Sequence, residues 1–352
     1  MVAAGDTPDT FGLHDGAEDE PWLVRVPMQR SAVRQYVAKV DLSLILAQMR
    51  PDNILAEFSL QMSSTWELVW KALRGKGPRL AFWSQGPNVE RGFTMPRDIL
   101  SQKLRIALMS GADAQLCYSE GGASYLRRHL PKRQGIFVAP NTLDMDAIKV
   151  TAKILEPLGG AKSNLLLIGR ITKDKRMDVA VRAFGLLRRT MPQIRLNVVG
   201  DGPAMEDLRR EAAPFGDSVN FLGPVYDDER LAGIYRESSL MLVSGAAGLN
   251  VNQSLAFGVP VMLFDDTFAV RHHPEHAYIR DGFNGYRVSP PTAEAMAQRL
   301  QAVLSHGSPR QLLAAGIEQT VNDDMSLDRM IDGMRDLDKF LRGLSPRLHA
   351  DI

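Results

Sequence analysis

The stretch "LMLVSGAAGLNVNQSLAFGVPVMLF", residues 240–264, decides the fold. An apolar run ends near Val243 and is the length of a buried strand. Gly245 and Gly248 mark a turn. A short helix starts near Leu249, and a second apolar run carries Val261 to Phe264. Strand, turn, helix and strand in this order make a parallel α/β unit. The first N–H groups of such a helix lack an intrahelical partner and can face an anion. Asn250, Asn252, Gln253 and Ser254 add uncharged donors and acceptors, and no charged residue stands between Ser244 and Met262. A glycine turn that only packs closely against a neighbour is the plainer alternative.

The same alternation spreads in both directions. "NLLLIGR" (164–170), "IRLNVVGDGP" (194–203), "VNFLG" (219–223) and "LMLVSG" (240–245) read as strands. "DVAVRAFGLLRRTM", "AMEDLRREAAPF", "DERLAGIYRES" and "TAEAMAQRLQAVL" read as the helices around them. Upstream, "RPDNILAEF", "RLAFWSQG", "DAQLCYS" and "GIFVAPN" read as strands, with "STWELVWKAL", "MPRDILSQKLRIALMSGA" and "EGGASYLRRHL" as helices. Residues 33–49 have roughly helical spacing, through Val33, Val37, Val40, Leu44 and Met49. "VTAKILEPLGGAKS" (150–163) looks like a linker, with one Pro and two glycines. The tail from Ser326 places Leu327, Ile331, Met334, Leu337 and Leu341 on one helical face.

These patterns imply two doubly wound α/β halves, the length of 352 residues being too great for one ordinary core. We divide the chain into an acidic, poorly ordered start (1–32), a first half (33–155), a second half (156–324) and a terminal helix (325–345). With two such halves, a cleft between them is the expected site. Net charge is +1, which names no partner by itself. The single cysteine, Cys117, excludes a disulfide framework and fits a reducing, cytoplasmic compartment. The acidic start has no signal-peptide pattern, and no apolar run reaches the roughly 18 residues of a membrane span.

Four turns fall at strand ends in the second half. In "GRITKDK" (169–175), the forked guanidinium of Arg170 and the point charge of Lys175 suit a diphosphate; a solvated basic loop is the alternative. In "VVGDGP" (198–203), Asp201 between two glycines reads best as a structural turn, and no GxGxxG is present. Backbone groups of "FLG" (221–223) suit the edge of a nucleobase. The opening stretch is the fourth. "RHHPEH" (271–276) gathers three histidines and Glu275, but its spacing is not that of H-E-x-x-H, so we expect no metal there. Glu275 after Pro274 suits a helix start instead. Between Lys71 and Gln134, twelve basic residues stand against four acidic ones, which suits anionic lipid or an anionic acceptor. Nucleic acid is not expected, since no aromatics interleave with those charges.

Taken together, "LLLIGRITKDKRMDVAVRAF", "LNVVGDGP", "VNFLGPVYDDERLAGIYRESSLMLVSG" and "GLNVNQSLAFGVPVM" resemble family 4 of the retaining glycosyltransferases, of bacterial type, with the GT-B fold. "RPDNILAEFSL", "RLAFWSQGPN", "DAQLCYSEGGASYL" and "VAPNTLD" resemble the acceptor-side domain of such proteins. The resemblance runs from about residue 33 to 345. It implies transfer of a sugar from a nucleotide-sugar donor to a glycan or lipid-linked acceptor, with retention, without a metal and with no separate cofactor. Bacterial surface polysaccharide or glycolipid synthesis is the implied setting, on the inner face of the plasma membrane. By the family pattern, Arg170 and Lys175 hold the diphosphate and are the catalytic pair. Gly169, Leu222, Gly248, Leu249, Asn250 and Gln253 bind the donor, while Gln85, Gly86, Ser119 and Asn141 lie on the acceptor side.

Three departures matter. The family's two glutamates, with seven residues between them, are replaced by Gly245 and Gln253. Gln85 stands where close relatives often carry His. The usual first strand with its glycine-rich loop is not found before residue 50. A catalytically silent protein of the same fold, binding a nucleotide sugar or a partner transferase, is therefore the second expectation. With Gly245 lacking a side chain, Asn250 is the expected reader of the sugar.

Overall fold

The computed structural model describes residues 42–60, 62–75, 77–84, 100–148, 164–265, 270 and 272–344, with the backbone alone of 2–4, 24–26, 28–30, 36–38 and 96–99. The chain forms two compact units. One comprises Met1–Pro87, Phe93–Val138 and Gly333–Ile352, the other Asn88–Gly92 and Ala139–Asp332. Most of the acidic start, the linker at 150–163, Gln85 and Gly86 lie outside the described residues.

The first unit is built on four parallel strands in chain order: β1 (Asn53–Glu57), β2 (Arg79–Ser84), β3 (Ala114–Cys117) and β4 (Gly135–Val138). Helix α1 (Leu42–Met49) precedes them, and α2 (Ser63–Leu73), α3 (Pro96–Met109) and α4 (Glu120–His129) connect them. Each crossover steps the same way, which with right-handed connections lays α2, α3 and α4 on one face. On that face Phe82 meets Phe58 edge-on at 5.1 Å. The buried amide of Gln115 donates to the carbonyl of Met109 at 2.9 Å. On the opposite face Phe340, from the terminal helix Leu327–Leu341, lies 5.5 Å from Phe137. Arg79 donates to the carbonyls of Phe340 and Leu341 at 3.1 and 3.2 Å, satisfying two helix-end acceptors.

The helical reading of residues 33–49 needs correction. Tyr36–Ala38 is a short strand paired antiparallel with Met28–Arg30, and the helix starts only at Leu42. β-branched and aromatic residues at 36 and 37 favour extended backbone, and apolar spacing over so short a run fits either state.

The second unit carries β5 (Asn164–Ile168), α5 (Met177–Leu187), β6 (Arg195–Val199), α6 (Met205–Ala212), β7 (Val219–Gly223), α7 (Asp228–Glu237), β8 (Ser238–Val243), α8 (Leu249–Ala256), β9 (Val261–Phe264), β10 (Gly285–Val288) and α9 (Ala293–Ser305). Its sheet is wholly parallel, in the order β7-β6-β5-β8-β9-β10. Strand β5 is central and reads Asn-Leu-Leu-Leu-Ile because both its faces are covered. Leu165, Leu166 and Leu167 are each at most 1% exposed. Each contributes roughly 1.5–3 kcal/mol by leaving water.

Two features were not in the sequence reading. Strand β10 extends the sheet by one, buried except at half-buried Arg287. The segment after Ala139, which the sequence reading assigned to the first half, packs with the second unit. Met145 is 3% exposed within the second unit's core, and Thr142 donates to the carbonyl of Met325.

Candidate functional site

The second sheet reverses its winding between β5 and β8. In doubly wound sheets ligands bind beyond the carboxyl ends of the strands at that point. Here Gly169 and Arg170 follow β5, and Ser244 and Gly245 follow β8. Gly169 has φ of 134°, a conformation that side chains disfavour, and it turns the chain outward. Arg170 is exposed at the rim. Ile171 anchors the loop, accepting from Ala204 N at 3.0 Å and donating to Asp201 O at 2.8 Å.

The loop then folds back. A short helical turn, Lys173–Lys175, lies directly against residues 244–246. Ala246 N donates to Asp174 O at 3.1 Å, and Ser244 Oγ donates to Arg176 O at 2.6 Å. Lys175 Nζ donates to the carbonyl of Ala246 at 2.6 Å. A Cβ built on Gly245 would stand 2.1 Å from Asp174 O and 2.3 Å from the carbonyl carbon of Lys175. So position 245 is glycine because two backbone segments touch there. Burial lowers the pKa of Lys175, while the charges of Asp174 and Glu275 pull it back up.

Helix α8 starts at Leu249 from Gly248, which supplies no side-chain cap. Gly248 N instead donates to Asn250 Oδ1 at 3.1 Å, and Asn250 Nδ2 donates to Ile168 O at 3.1 Å. Asn250 thus ties the start of α8 to the end of β5. Its amide braces the switch point with both its oxygen and its nitrogen. Gln253 Oε1 accepts from the buried Tyr235 hydroxyl at 3.2 Å. Leu222 sits two strands from β5, about 10 Å at ordinary strand spacing. Its neighbour Gly223 accepts from Gly200 N at 2.9 Å.

Arg170, Lys175, Gly169, Gly248, Leu249 and Asn250 therefore gather at one place, with Leu222 and Gln253 further out on the same unit. Ser119 is the N-cap of α4 in the first unit, its Oγ accepting from Gly122 N at 3.2 Å. Asn141 belongs to the second unit, where its Nδ2 donates to Glu275 Oε1 at 2.5 Å. Asp201 accepts from Gly202 N at 2.7 Å, which is the structural turn expected of it.

Two residues carry more than the sequence reading gave them. Asn252 is fully buried and donates to Asn141 O at 2.9 Å. Glu275 is 2% exposed, in the short turn Pro274–Tyr278. The one sequence signal for Glu275 is a carboxylate after proline at the start of a turn. His272 uses both ring nitrogens on backbone: Nδ1 accepts from Ala247 N at 3.0 Å and Nε2 faces Phe264 O at 2.8 Å. Among the described residues no group of three or more His, Cys, Asp or Glu is arranged to hold a metal ion. Nor is any described helix long and apolar enough to cross a membrane.

The chain is similar to several known proteins. Residues 162–306 match the family model described as glycosyl transferases group 1. The exopolysaccharide phosphotransferase of Streptomyces coelicolor is 29% identical over 38% of this chain and 14% of its own length. The D-inositol 3-phosphate glycosyltransferase of Nocardiopsis dassonvillei is 28% identical over 65% of this chain and 57% of its own. A GDP-mannose-dependent phosphatidylinositol monomannoside mannosyltransferase of Mycobacterium tuberculosis is 28% identical over 44% of each chain. The chain thus spans well under two thirds of the curated relatives it matches. Among solved structures, a sucrose-phosphate synthase from Thermosynechococcus elongatus aligns over 92% of this chain and 84% of its own, with TM-score 0.64 and 19% identity. Anabaena HepE in complex with UDP aligns over 90% and 86%, with TM-score 0.66 and 14% identity. The fold is that of the GT-B glycosyltransferases, with two Rossmann-like units.

Proposed function

We propose that this chain is a glycosyltransferase moving a sugar from a nucleotide-sugar donor to a glycan or lipid-linked acceptor, with retention and without a metal or separate cofactor. The observation that carries this reading is the convergence of Arg170, Lys175 and the first turn of α8 on the switch point of the second sheet. As the glycosidic bond breaks, negative charge grows on the leaving diphosphate. A guanidinium, an ammonium and the N–H groups of a helix start stabilise that charge as it develops. The nucleoside lies toward Leu222, and the first unit receives the acceptor.

A lipid-linked acceptor suits the surface of the first unit. Helix α2 presents Trp66, Trp70 and Leu73 at i, i+4 and i+7, exposed by 37%, 52% and 70%. The guanidinium of Arg74 lies 3.5 Å over the ring of Trp70. Aromatic rings flanked by basic residues favour the headgroup layer of an anionic membrane. We therefore place the protein at the inner face of a bacterial plasma membrane, in polysaccharide or glycolipid synthesis.

One observation favours a second reading, a silent GT-B protein that binds a nucleotide sugar or a partner transferase without turnover. The place of the first family glutamate is Gly245, and the backbone of 174–175 closes the space a side chain there would need. Calorimetry with UDP-, GDP- and ADP-sugars tests both. Wild type is expected to bind one of them, and Arg170→Ala or Lys175→Ala to weaken it at least tenfold. Failure of every nucleotide to bind wild type overturns the transferase and the silent-binder readings together. Donor hydrolysis or sugar transfer to a lipid-linked acceptor then separates enzyme from silent binder.

A further inference from the structure

The second unit holds a buried carboxylate that the phosphate grip does not use. Glu275 Oε1 is held by Asn141, but Oε2 is buried and has no hydrogen-bond donor among the described residues. Asn252, 0% exposed on α8, donates through Nδ2 to Asn141 O, yet its Oδ1 is likewise buried without a donor. Asn252, Asn141 and Glu275 thus form a short chain ending in two unsatisfied acceptors. Buried acceptors without donors are costly and rare, a buried carboxylate oxygen above all.

These groups stand beside the phosphate turn. His273 N donates to Ala247 O at 3.1 Å. The point a Cβ on Gly248 would occupy lies 3.9 Å from His273 Cδ2 and 4.0 Å from Lys175 Nζ. Glu275 also acts electrostatically on Lys175. The chemistry of the site limits what fits. An anionic oxygen and an amide oxygen ask for donors, and they repel phosphate. A neutral group rich in hydroxyls satisfies them, while the diphosphate keeps to the side of Lys175 and α8.

We infer that Glu275 Oε2 and Asn252 Oδ1 accept hydrogen bonds from hydroxyl groups of the donor's sugar, so that the carboxylate position 245 cannot supply comes from position 275. This rests on the nucleotide-sugar reading above and names the residues that would read its sugar.

The test compares UDP with UDP-glucose and GDP with GDP-mannose by calorimetry, in wild type and Glu275→Gln. The variant keeps the shape and the bond to Asn141, but places an N–H donor where Oε2 accepts. Wild type is expected to bind the sugar nucleotide at least tenfold more tightly than the bare nucleotide. Glu275→Gln should erase that difference while changing nucleotide affinity less than twofold. If Glu275→Gln does not fold by circular dichroism, Glu275→Asp, which keeps the charge but retracts it, should erase the difference in the same way. A difference that survives in the variant overturns the inference. So does an equal loss for bare and sugar nucleotides, which marks a structural role only. A wild type that binds nucleotide with no preference for its sugar overturns the inference and leaves nucleotide binding intact. No nucleotide binding at all removes the underlying reading as well.

Discussion

Lys175 has two opposed demands on it. Burial disfavours its charge, yet the proposed contact with diphosphate needs that charge. Its pKa is lowered below the ordinary 10.5, by desolvation first, with Asp174 and Glu275 opposing. In the free protein the ammonium is lost as pH rises through that lowered value. Nucleotide affinity should therefore fall on the alkaline side beginning below pH 10.5, not above it. Lys175→Arg should abolish this alkaline limb, because guanidinium stays charged throughout. A titration of nucleotide affinity from pH 7 upward, for both proteins, checks this; identical alkaline limbs would place the titrating group elsewhere. The position of Arg170 and Lys175 just past a strand end was readable from one short loop. Glu275 was not, because its partner Asn141 stands 134 positions away, and Asn252 reaches Asn141 across 111. A network drawn from three distant segments leaves no local periodicity to read.

At the scale of elements, the turn from β8 to α8 holds two glycines for different reasons. Gly245 is pressed against the backbone of Asp174 and Lys175, whereas a Cβ on Gly248 meets its nearest neighbours only at 3.9–4.0 Å. Gly245→Ala should cost ~1–3 kcal/mol or more, since the opposing atoms are main chain and cannot rotate away. Gly248→Ala should barely change stability but set a methyl group where the proposed phosphate approaches. Urea unfolding and nucleotide calorimetry on both variants should show this split; loss of stability in Gly248→Ala would contradict it. The sequence identified both glycines and the strand–turn–helix around them. It could not reveal which glycine was closed by contact, because the closing loop lies 71 positions upstream. Strand β10 was missed for a simpler reason: four residues with an arginine among them do not stand out as an apolar run.

For the whole molecule, each unit has its own sheet and its own buried side chains. Leu337 is 3% exposed, on the part of the terminal helix that packs with the first unit. Leu337→Ala should lower stability by ~2–5 kcal/mol, the usual range for deleting a buried leucine. The nucleotide contacts proposed here all lie in the second unit, so UDP or GDP affinity should change less than twofold. Chemical unfolding followed by calorimetry on the folded variant measures both, and a large loss of affinity would show that the units are energetically coupled. The parallel α/β character of both halves was legible because central strands such as Asn164–Ile168 are apolar after their first residue. The passage from one unit to the other was less so. Met145 and Thr142 reveal their allegiance only through partners far along the chain.

The backbone contact at Gly245 also bears on how this site can change by mutation. A single codon change to glutamate at 245 would meet Asp174 and Lys175 main chain at contact distances no real Cβ tolerates. Placing a carboxylate at 245 is therefore not a one-step path. It requires the 172–176 loop to be rebuilt first, and that loop carries Lys175. Directed evolution of sugar preference should accordingly yield hits at 252, 253 and 275 well before any at 245.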